Sequence, residues 1–74
     1  NAMKFPKALK KMREGYHVRR PSMFSTLTLA INVYDNREVM EYWSKGTPSA
    51  RASEMYSNDI LADDWYVVDK GDAL

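Results

Sequence analysis

Phe5, Ala8, Leu9 and Met12 recur at i, i+3, i+4 and i+7, the apolar stripe of an amphipathic helix. Pro6 suits the first helical turn, where its missing N–H has no partner to lose. Gly15 supplies the left-handed residue that commonly ends a helix, so the stripe predicts a helix over residues 5–14. From Tyr16 the period changes. Tyr16 to Arg20 has the aromatic and β-branched content of a short strand that Pro21 stops. Phe24 to Tyr34 is the longest strand signal, with Leu27, Leu29, Ile31 and Val33 alternating with Thr26, Thr28, Ala30 and Asn32.

Asp35 and Asn36 both tolerate positive φ and predict a two-residue hairpin turn, after which Glu38 to Trp43 returns antiparallel. That loop length sets the register: Ile31 opposite Met40 and Leu29 opposite Tyr42 on one face, Thr28 opposite Trp43 on the other, where Val39 also points. The second face is then only partly polar, which suggests that it too is covered. Residues 44–53 read as loop, with Gly46 and Pro48 as breakers. Ser57 or Asn58 is expected to cap one helical turn through Ile60, Leu61 and Ala62. Trp65 to Val68 reads as a last strand, and Lys70 to Leu74 as a tail. Asn1-Ala2 ahead of Met3 resembles the scar of a cleaved tag. Residues 3–70 therefore predict a single α+β domain, one N-terminal helix packed on a small antiparallel sheet, with a short helical turn before the last strand.

Composition narrows the chemistry. No cysteine occurs in the 74 residues, which excludes disulfides, Cys-based zinc sites and a thiol nucleophile; His17 is the one histidine. No apolar run approaches the roughly 20 residues of a membrane span, and no signal peptide opens the chain. Charge is uneven. Residues 1–20 hold seven bases against Glu14, a net of +6, and the other 54 hold four bases and nine acids, a net of −5. The asymmetry suits an anion-binding face, two complementary surfaces of an oligomer, or simply a solvated helix face. A net charge of +1 is too small for strong non-specific DNA binding.

Nucleophilic catalysis finds little support, because the serines have only His17 as a histidine partner and lack nucleophile-elbow glycines. Asp59, Asp63 and Asp64 form a carboxylate cluster without calcium-loop spacing, and Asp59 near a helix start has the simpler role of a cap. Arg19-Arg20 with Phe24, Tyr42 and Trp43 is the combination that nucleotide recognition uses: guanidinium forks on phosphates, aromatic faces on bases. The same residues also serve as core aromatics and surface arginines.

The two ends of the chain resemble a family. Met3 to Arg20 is similar to the opening M-x-F-x-x-A-L-x-x-[LM]-x-x-G-x-x-V-x-R, and Ser57 to Trp65 to the closing S-x-D-x-L-A-x-D-W, of the phage Thoeris anti-defence sponge family. The two segments span roughly 30 residues. The resemblance implies a cytoplasmic phage or prophage protein without catalytic residues, metal or cofactor. It implies sequestration of a nucleotide immune signal, of the cyclic ADP-ribose type or a cyclic oligonucleotide, by a homo-oligomer with pockets between subunits. Arg20 and Asp59 are the polar motif positions. Ser22-Met23, with Phe24 following, stand where the family carries Gly-Trp-Asn, whose Trp lies at the ligand pocket. Arg20, Met23, Phe24 and Asp59 are thus the expected ligand-binding residues, Arg20 as a phosphate fork. The rival reading is an oligomeric accessory protein that binds another protein through its half-apolar sheet faces.

A chain this short buries only about 60% of its unfolded surface and has no cross-link, so self-association is expected, as a dimer or tetramer. Light scattering at micromolar concentration is expected to give that multiple of the monomer mass; a clean monomer would contradict it.

Overall fold

The helix begins where Phe5 and Pro6 open the first turn and ends where Gly15 takes φ +97°, its N–H donating to the Met12 carbonyl. A Cβ on Gly15 would meet nothing, so the backbone angle and not space reserves the position for glycine. The computed structural model describes residues 1–24, 26–53 and 55–70, with the backbone alone for Asp69 and Lys70. In chain order the elements are α1 (Phe5–Arg13), β1 (Tyr16–Arg19), β2 (Leu27–Tyr34), β3 (Arg37–Ser44), β4 (Thr47–Arg51), α2 (Ser57–Ile60) and β5 (Tyr66–Lys70). The strands form one antiparallel sheet in the order β4-β3-β2-β1-β5, with α1 packed on it, the expected α+β arrangement.

Phe5, Ala8 and Met12 of α1 bury against Val18, Leu29 and Trp65, with Leu9, Ile31, Met40, Tyr42 and Val67 around them. Burying a side chain such as Met12 or Leu29 contributes roughly 1.5–3 kcal/mol. The β2–β3 hairpin turns through Asp35 (φ 50°) and Asn36 (φ 62°). Its ladder pairs Ile31 with Met40, Leu29 with Tyr42 and Thr28 with Trp43, the register that the alternation predicts. On the face away from α1, His17 shares a 2.7 Å hydrogen bond with Thr28 Oγ1 and meets Trp43 edge to face.

Three expectations need correction. Residues 44–53 are not a loop: Lys45 (φ 53°) and Gly46 (φ 79°) make a second tight turn, and β4 returns along β3. All five β4 residues are exposed, so no alternation marks the strand, and Pro48 is tolerated because β4 is a sheet edge. α2 is not capped by Ser57 or Asn58. Tyr56 occupies that place with no side-chain cap, and the helix ends at Ile60, leaving Leu61 exposed. The last strand starts at Tyr66 and takes in Lys70; Trp65 instead bridges Met3, each N–H donating to the other's carbonyl. Residues 71–74 of the expected tail lie outside the described residues. Among the described residues, no helix is long and apolar enough to cross a membrane.

Trp65 is 1% exposed, its ring 5.4 Å from that of Phe5 beneath α1. Trp65→Ala should destabilise the fold by about 3–5 kcal/mol, the usual loss for a large buried aromatic. Urea unfolding followed by circular dichroism measures it; a midpoint equal to the parent's would show that Trp65 does not hold the core.

Candidate functional site

Val18 faces the core, so strand alternation sends Arg19 to the far face and brings Arg20 back toward α2. Arg19 Nη2 donates to the carbonyls of Met23 (2.8 Å) and Phe24 (3.0 Å). The Met23 N–H donates to the Arg20 carbonyl, and the Arg20 N–H meets Met23 Sδ. These contacts fix the turn over Pro21 and Ser22 and hold Met23 and Phe24 at its exit.

The Arg20 side chain is only 18% exposed. Its Nε donates to Asp64 Oδ1 at 2.6 Å and its Nη1 to Asp59 Oδ1 at 2.7 Å. The hydrogen bonds to Asp64 and then Asp59 raise the guanidinium pKa above its already high ordinary value. The fork expected to hold a phosphate is closed here on two carboxylates. Asp59 is held a second time, its carbonyl accepting the Trp65 indole N–H at 2.8 Å. Asp63 is exposed, and among the described residues no three acids or histidines gather closely enough to hold a metal ion.

Beside this junction lies a cavity of about 370 Å³ lined by Ser22, Met23, Phe24, Leu27, Tyr42, Tyr56 and Asp59. Met23, Phe24 and Asp59, three of the four expected residues, meet there; Arg20 touches it only through Asp59. Phe24 and Tyr56 are each 80% exposed, so two large aromatic side chains stand at the opening with little covering them. Tyr42 comes from the helix-facing side of β3. Burial, and then the negative charge of Asp59, push its hydroxyl pKa up. Trp43 is separated from this set: it and Arg19 bound a smaller cavity, of about 250 Å³, that also touches Thr28 on the opposite face.

Tyr56 and Leu27 escape the sequence reading. Tyr56 follows a stretch without periodicity, so no local pattern marks it, and Leu27 is legible only as a strand position. The cavity offers apolar walls, aromatic faces, the phenols of Tyr42 and Tyr56 and the Asp59 carboxylate. It suits a flat ring that presents N–H or O–H donors toward Asp59.

Because the folded state raises the Tyr42 pKa, the unfolded chain releases that proton first, and stability falls as pH climbs past the ordinary phenol value of about 10. Absorbance at 295 nm is expected to show a late phenolate component that Tyr42→Phe diminishes. An unchanged titration in that variant would contradict the burial of Tyr42 beside Asp59.

Comparison with protein-family models, curated proteins and solved structures gives no match to this chain.

Proposed function

We propose that the protein binds a small nucleotide and holds it unchanged, with the Met23–Phe24–Tyr42–Tyr56–Asp59 cavity receiving the base. The observation that carries this reading is the pair of exposed aromatics, Phe24 and Tyr56, at the mouth of one cavity beside a positioned carboxylate. Aromatic side chains left in water at a concave site are available for base stacking. The cavity falls at the lower end of the size range of small-molecule sites. Asp59 accepts from a base amino group or a ribose hydroxyl, and Arg20 keeps that carboxylate in place.

The resemblance of the chain ends to the anti-defence sponges supports a nucleotide immune signal, of the cyclic ADP-ribose type or a cyclic oligonucleotide, as the ligand. Sequestration needs no chemistry. A tight binder in sufficient copies removes free signal and leaves the signal's effector in its inactive population. A second reading, an oligomeric accessory protein that binds another chain, draws on the sheet face away from α1. There Trp43 Nε1 and Glu41 Oε1 are buried without a hydrogen-bond partner. Each unsatisfied buried group costs about 1–3 kcal/mol, and because both atoms are already covered within this one chain, a partner reaches them only where that face rearranges.

A thermal-shift screen with cyclic ADP-ribose isomers and cyclic di- and trinucleotides tests the first reading. A ligand at a hundred times its Kd stabilises by about 2.7 kcal/mol. Phe24→Ala and Tyr56→Ala should each weaken that ligand by about 1–3 kcal/mol, the usual value of a lost stacking partner. No shift from any compound at millimolar concentration would overturn the reading.

A further inference from the structure

The Arg19 side chain lies on the sheet face away from α1, where it lines the smaller cavity with Trp43 and Val68. Its hydrogen bonds nevertheless end on the wall of the aromatic cavity. One nitrogen, Nη2, donates to two successive carbonyls, those of Met23 at 2.8 Å and Phe24 at 3.0 Å. The Phe24 carbonyl also accepts the Leu27 N–H at 2.9 Å, so one oxygen is held twice. Phe24 itself is 80% exposed, and with so little packing on the side chain its backbone decides where it stands. Pro21 to Phe24 lies in neither helix nor strand, which leaves these hydrogen bonds to order it. Bonds from a charged donor are roughly twice as strong as neutral ones, and a guanidinium does not lose its charge in a protein.

We propose that Arg19 is a positioning residue of the aromatic cavity, presenting Met23 and Phe24 to a bound base without touching it. The proposal rests on the nucleotide reading of that cavity, whose lining does not include Arg19. Two neighbouring arginines then divide the work. Arg20 holds the carboxylate wall through Asp59, and Arg19 holds the aromatic wall through the Met23 and Phe24 backbone. A turn that spends about a tenth of its time in the ligand-ready form shows about a tenth of its intrinsic affinity. Lysine at position 19 keeps the charge, but a compact ammonium does not reproduce the planar fork that spans two carbonyls.

Amide hydrogen exchange on Arg19→Lys, with no ligand present, tests the ordering of the turn. The Met23 and Leu27 amides, which donate to the Arg20 and Phe24 carbonyls, should exchange about fivefold faster or more, while the amides of β3 keep the parent's rates. Unchanged exchange at Met23 and Leu27 would overturn the proposal. Faster exchange throughout β3 would make Arg19 a support of the whole fold and overturn it equally. The cyclic ADP-ribose isomers and cyclic dinucleotides of the thermal-shift screen are the probes for binding. For the one that binds the parent, Arg19→Lys should raise Kd about tenfold, or about 1.4 kcal/mol. Lys45→Gln removes another cation from the same far-face cavity and should leave Kd within a factor of about two. In a Phe24→Ala chain the further loss from Arg19→Lys should shrink to about threefold or less, because Arg19 acts through the residue already removed. A larger further loss there would overturn the positioning role, as would an unchanged Kd in the single variant or equal weakening by Lys45→Gln. If no probe binds the parent, the nucleotide reading fails, and the exchange rates decide by themselves whether Arg19 orders Phe24.

Discussion

Trp65 joins parts of the chain that sequence keeps far apart. Its ring lies beneath α1 against Phe5, its backbone exchanges two hydrogen bonds with Met3, and its indole N–H donates to the Asp59 carbonyl. One buried residue thus ties the N-terminus, α1, the end of α2 and the start of β5 into a single core. The same interaction reaches the candidate site. Asp59, fixed through its carbonyl, offers its carboxylate to Arg20, and Arg20 engages Asp64 as well. A four-residue helix without a side-chain cap has little stability of its own, so α2 depends on these tertiary contacts.

Much of the fold was legible wherever the chain repeats a period. The α1 stripe, the Asp35-Asn36 turn and the alternation of β2 were enough to place the helix and set the β2–β3 register. β4 was not legible, because an edge strand exposed at every position leaves no alternation, and Pro48 argues against a strand anywhere but at an edge. Of the candidate site, Met23, Phe24 and Asp59 were legible as a group, and their shared cavity joins residues more than thirty positions apart. The partners of Arg20 were not: Asp59 and Asp64 lie 39 and 44 residues away, and no local pattern announces a contact of that range. Tyr56 was hidden for a related reason, since it follows a stretch without periodicity.

The two sides of the molecule differ in electrostatics. α1 presents Lys7 and Lys11 along a groove whose described lining holds no carboxylate, whereas Arg20, beside the aromatic cavity, is already paired with Asp59 and Asp64. The basic first twenty residues and the acidic remainder of the sequence meet in the fold, since Arg20 pairs with Asp59 and Asp64 and Arg13 with Glu38.

The central claim is that the aromatic cavity, with Asp59 held by Arg20 and Trp65, is where a nucleotide base is bound. Amide chemical-shift mapping with a nucleotide that stabilises the protein tests it most directly. The expected result is shifts concentrated at Met23, Phe24, Tyr42, Tyr56 and Asp59, and their loss on Asp59→Ala in a variant that keeps the parent's dispersed spectrum. Shifts that leave those five residues unmoved and gather on β4 or on the sheet face around Trp43 would contradict it.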